Sequence, residues 1–90
     1  MADLKQIRQE IAEIAQRRRN VEIKEIEWVV KHLGTNGFKV SDRSNAHQKI
    51  FRINSVRFGI CHHHRGSKQI KACYVDGFLD AMEELGLYEQ

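Results

Sequence analysis

Two runs in the middle of the chain, "HQKIFRI" at 47–53 and "SVRFGIC" at 55–61, are joined through the pair Asn54-Ser55. So short a connection fits neighbouring antiparallel strands, since a parallel crossover needs a dozen residues or more. In the second run Val56, Phe58 and Ile60 alternate with Arg57 and Gly59, which predicts a strand with one apolar face. The first run is less tidy, because Ile50 and Phe51 are adjacent and must point to opposite faces. Placing Ile50 in the core beside Val56, Phe58 and Ile60 turns His47 and Lys49 outward, and a bulge or partial cover on both faces would accommodate Phe51. Ahead of these, "TNG" is a turn signal before "FKVSDR", a third short strand with Phe38 and Val40 on one side.

The flanks have the other period. "ADLKQIRQEIAEIAQRRR" predicts a helix capped by Asp3, with Gln6 completing a capping box and Leu4, Ile7, Ile11 and Ile14 at 3-4 spacing. Two heptads are too few for an independent coiled coil, so this stripe either lies on the domain or pairs with a second copy. Arg17, Arg18 and Arg19 fall in its last turn, where cations suit the negative end of a helix. "VEIKEIEWVVKHLG" predicts a second helix, capped by Asn20 and closed by Gly34, with Trp28 and His32 packing on its flank. "ACYVDGFLDAMEELG" predicts a third, with Val75, Phe78, Leu79, Met82 and Leu85 as its stripe, after which Leu87 and Tyr88 fold back onto the core.

Ninety residues without a proline or a low-complexity tract read as one domain, a helix over 1–19 followed by an α-β-β-β-α core over 20–90. Two helices covering one face of a three-stranded antiparallel meander, the other face open, give an α+β fold with the layout of the double-stranded-RNA-binding domain. No run of 18 apolar residues and no basic-then-apolar leader is present, so a cytoplasmic protein without membrane contact is expected. Cys61 and Cys73 are too few for a disulfide framework and are expected as buried small hydrophobes.

The net charge of +3 hides a segregation. Residues 1–34 carry seven Lys/Arg and six Asp/Glu; residues 35–73 carry eight Lys/Arg against Asp42 alone; residues 74–90 carry five acids and no Lys/Arg. A middle segment at +7 beside a tail at −5 implies an anionic partner for the middle. There, a histidine can exchange protons near neutral pH, and a nearby lysine can stabilise charge on a five-coordinate phosphorus. His47 and Lys49, two residues apart on a strand, supply that pair for RNA cleavage, with the 2′-oxygen as nucleophile and no metal.

The stretches "GF" at 37–38, "SNAHQKIFRI", "ICHHHRG" and "IKACYVDGFLDAMEELGLYE" resemble the HicA family of toxin endoribonucleases, from Val21 to Tyr88. The N-terminal helix resembles a longer subgroup of that family. The resemblance implies a compact α-β-β-β-α protein that cuts messenger RNA, uses no cofactor, and is neutralised by a HicB-like antitoxin covering its site. It places the catalytic role on His47, where the family has Gly-Ser-His and this chain has Asn45-Ala46-His47. Arg43, Lys49, Arg65, Lys68 and Lys71 would hold RNA phosphates, which position a strand without reading its sequence. A catalytically inactive RNA-binding or protein-binding module of the same fold is the alternative, motivated by the lost Gly-Ser. Zinc on Cys61, His62, His63, His64 and Cys73 is the other reading weighed, but that spacing matches no standard zinc pattern, so no metal is expected. A homodimer through the first helix is a further expected association.

Overall fold

Asp3 opens the first helix as its spacing predicts: Asp3 Oδ1 accepts from the Gln6 N–H at 2.9 Å, and Gln6 Oε1 accepts in return from the Asp3 N–H at 3.1 Å. The computed structural model describes residues 3–44, 48–61 and 70–89. They form α1 (Leu4–Gln16), α2 (Ile23–Thr35), β1 (Val40–Ser44), β2 (Gln48–Ile53), β3 (Val56–Cys61) and α3 (Ala72–Glu84).

The strands make one antiparallel sheet in the order β1-β2-β3, with unbroken registers running from Val40↔Ile53 to Ser44↔Lys49 and from Gln48↔Cys61 to Ile53↔Val56. Asn54 makes the two-residue turn possible by adopting φ 55°, a left-handed conformation that asparagine tolerates. Its Oδ1 accepts from the Lys39 N–H at 3.0 Å, tying the turn to the entrance of β1.

On one side of this sheet Phe51, Ile53, Phe58 and Ile60 are buried, and α2 and α3 pack there. Phe51 stacks on Phe58 with ring centroids 5.2 Å apart, and Phe58 meets Phe78 of α3 edge-on at 5.5 Å. α1 lies across α2 and α3, so that Ile7, Ile11 and Ile14 are fully buried within the same hydrophobic cluster. The stripe of α1 is thus packed within the chain, with Leu4 its exposed member.

Several sequence expectations need correction. Ile50 is not the core residue of β2; Phe51 is, because the register sets Phe51 opposite Phe58 and leaves Ile50 opposite Gly59 on the other face, with no bulge. The second helix starts two residues later than an Asn20 cap would place it: Glu22 is the N-cap, and its N–H donates to Glu25 Oε2 at 2.8 Å. Nor does Gly34 end that helix, which continues to Thr35 before Gly37 turns the chain at φ 94°. Gly34 is instead a site of close approach, since a Cβ there would lie 2.8 Å from Val40 Cγ2. The arginine run begins at the C-cap of α1, Arg17, rather than in its last turn, and two of its members find acids on other elements: Arg17 Nη2 meets Glu25 Oε1 at 2.7 Å, and Arg18 holds Asp76 of α3 through two bonds of 2.6 Å. Cys61 is half-buried and Cys73 exposed, so neither is a core residue. α3 stops at Glu84 with Leu85 as its C-cap, Gly86 turns the chain just beyond it at φ 77°, and Leu87 returns into the core as the sequence suggests.

Candidate nucleic-acid interface

Strand alternation sorts the basic segment into two environments. With Phe51 inward, Lys49 is inward too, on the side that the helices cover. Its Nζ lies 2.5 Å from Glu27 Oε2 of α2 and 3.6 Å from Asp42 Oδ2 of β1, over the Phe51 ring at 5.2 Å, and its side chain is 17% exposed. The hydrogen bond to Glu27 holds its ammonium above the ordinary lysine range, against the opposing effect of burial. Lys49 thus faces away from the open side where the sequence pattern puts it. The physical reason is that the larger Phe51, not Ile50, fills the inter-layer space.

The opposite face consists of Ser41 and Arg43 on β1, Gln48, Ile50 and Arg52 on β2, and Arg57, Gly59 and Cys61 on β3. Arg43, Arg52 and Arg57 are all exposed. Arg52 and Arg57 are direct cross-strand partners, and Arg43 sits opposite Ile50. Among the described residues none of the three arginines has an ion pair, as is also true of Lys5, Arg8, Arg19, Lys31, Lys39 and Lys71, whereas Arg17, Arg18, Lys24 and Lys49 each have at least one. Arg52 Nε donates to the Asn54 carbonyl at 3.2 Å, which aims the guanidinium while leaving its outer N–H groups free of that bond. Ser41, Asp42, Arg43, Ile50, Arg52 and Arg57 line a hollow of about 410 Å³. Asp42 stands at its rim, with its carboxylate turned toward Lys49.

Of the residues singled out from the sequence, Arg43 lies on this open face, Lys49 on the covered one, and Lys71 is exposed at the start of α3. Tyr74, in the first turn of α3, meets Cys61, where its hydroxyl is hydrogen-bonded and held above the ordinary phenol value. The start of α3 thus reaches the sheet end formed by Ser44, Gln48 and Cys61. His47, Arg65 and Lys68, like His62, His63 and His64, lie outside the described residues. Among the described residues no three His, Cys, Asp or Glu side chains gather as a metal site. No helix among them is long and apolar enough to cross a membrane.

Arg52 and Arg57 were missed from the sequence because choosing Ile50 for the core sends Arg52 inward with it. The signal was available: Arg57 already alternates outward, and a two-residue turn sets Arg52 directly across from it. Comparisons with protein-family models, with curated proteins and with solved structures return no match.

Proposed function

We propose that the chain is a HicA-like, metal-independent endoribonuclease that binds messenger RNA on its basic side and is neutralised by a HicB-like antitoxin occupying the same surface. The arrangement from α2 to α3 is, in this reading, of the double-stranded-RNA-binding kind with α1 added across the helices. The observation that carries the reading is the open sheet face, where three arginines from three strands stand without acidic partners among the described residues. An exposed cationic surface of this kind attracts a polyanion and positions its phosphates.

The chemistry follows from the sequence resemblance. His47 takes the proton of a 2′-hydroxyl; the 2′-oxygen bonds to the adjacent phosphorus; the bond to the 5′-oxygen breaks, and that oxygen leaves as it takes a proton from water. The products are a 2′,3′-cyclic phosphate and a 5′-hydroxyl. With Lys49 engaged by Glu27 and Asp42, the cation nearest in role is Arg43, close to the end of β1 that leads to His47. The Asn45-Ala46 pair in place of Gly-Ser supports a second reading, in which the same face binds RNA without cutting it.

Wild-type protein and His47→Ala are to be incubated with a long transcript in the presence of a chelator. The nuclease reading predicts cutting by the first and none by the second, with RNA binding and melting temperature preserved. Cutting that survives in His47→Ala overturns the assignment of His47, and a wild-type protein that binds but never cuts establishes the second reading.

A further inference from the structure

We infer that Arg52 and Arg57 act together as a clamp on one backbone phosphate of a single RNA strand, with Arg43 holding the next phosphate. The inference rests on the reading of the chain as an RNA-binding protein and names the contacts that reading leaves open. It begins with a cost. Like charges directly opposite across two strands repel, because their Cβ atoms stand only about 4.5–5.5 Å apart. Arg52 and Arg57 occupy such a pair, and no carboxylate on the described part of the molecule relieves them. Asp42, the acid nearest by sequence and lining, turns to Lys49 instead. The molecule can pair its cations where they serve the fold, as Arg17 with Glu25 and Arg18 with Asp76 show. An anion from outside would turn the Arg52–Arg57 repulsion into attraction.

The geometry selects the kind of anion. Two guanidinium forks on long stems, rooted on directly opposed residues, can both reach one compact anion, and their planar donors suit the oxygens of a phosphate. The bond from Arg52 Nε to the Asn54 carbonyl fixes the root of one fork. Arg43 lies one step along the sheet: its partner Ile50 is two residues from Arg52, a diagonal separation of roughly 7–8 Å. That spacing calls for a second anion joined to the first rather than for the same one. Between the two positions the hollow offers the Ser41 hydroxyl and the half-buried Ile50 side chain, a surface for a sugar or a base face. The clamp therefore grips backbone and is indifferent to sequence.

The test uses the His47→Ala protein, so that RNA stays whole, with fluorescent oligoadenylate and oligouridylate as probes and affinity measured over a series of salt concentrations. A single-strand contact to one phosphate contributes about 0.7 to the slope of log affinity against log salt. Adding Arg52→Gln and Arg57→Gln together should lower that slope by about 0.7, equally on both probes, whereas either change alone should leave most of that contribution, because the remaining arginine still holds the phosphate. Adding Arg43→Gln as well should bring the loss to about 1.4. Lys24→Gln on α2 serves as the control and should leave the slope unchanged. If Arg52→Gln/Arg57→Gln binds with an unaltered slope, the clamp is wrong while the RNA reading stands. If the double variant loses about 1.4 in two equal additive parts, the arginines hold separate phosphates and the clamp is again wrong. If the parent binds neither probe, the RNA reading itself fails.

Discussion

The two faces of this one three-stranded sheet treat charge in opposite ways. On the face toward α2 and α3, Lys49 of β2 is drawn in over Phe51 and bracketed by Glu27 and Asp42. On the other face Arg43, Arg52 and Arg57 stand exposed with no acid among the described residues, two of them directly opposed. Burial explains the first arrangement, since a charge brought near the core is strongly destabilising unless it is paired. Nothing in folding explains the second. A sheet optimised for stability alone would put threonine, or an acid opposite a base, at those cross-strand positions. On the proposed reading, the difference separates what the fold requires from what bound RNA would require.

The largest effect that could break this division is in the core. Phe58→Ala removes the ring that joins Phe51 to Phe78, and about 3–5 kcal/mol of stability should go with it in a denaturant titration. Ile50→Ala, on the open face, should cost well under half of that, and equal losses would show that the open face is covered after all. A smaller, pH-dependent effect should mark the paired lysine. Its folded-state value is raised above the ordinary 10.5, so its contribution is complete below that pH and disappears as the pH climbs through the raised value. Wild-type protein should therefore lose melting temperature on the alkaline side of about pH 10.5, and Lys49→Met should lack this component of the loss. Identical alkaline profiles for the two proteins would mean that Lys49 is not held on the covered face.

The sequence carried the helices well, because Ile7, Ile11, Ile14 and then Val75, Phe78, Leu79 and Met82 repeat at helical spacing and are buried. It also carried the β2–β3 hairpin, where Asn54-Ser55 leaves little choice of connection. It failed at Ile50-Phe51, since alternation says that neighbours point apart without saying which one points in. One wrong choice there reversed every residue of β2, bringing Lys49 into the candidate site and removing Arg52. The ion pairs of Arg17 and Arg18 were illegible for a different reason: their partners Glu25 and Asp76 are brought near by packing, and Asp76 is 58 residues from Arg18. Capping of α2 by Glu22 went unforeseen because glutamate is seldom the first choice for a cap, and here Glu25 satisfies its N–H.

The smallest shift in stability gives the most direct test of the claim that the open-face arginines are kept for RNA at the expense of the fold. Arg57→Thr removes the repulsion with Arg52 and installs a residue suited to a strand, which should stabilise the protein by roughly 0.2–1 kcal/mol. Melting temperature and affinity for a short single-stranded oligoribonucleotide are to be measured on the same preparation. The account predicts a melting temperature higher by about 1–8 °C together with weakened binding. A lower melting temperature with unchanged affinity would contradict it, because Arg57 would then be serving the fold and not a ligand.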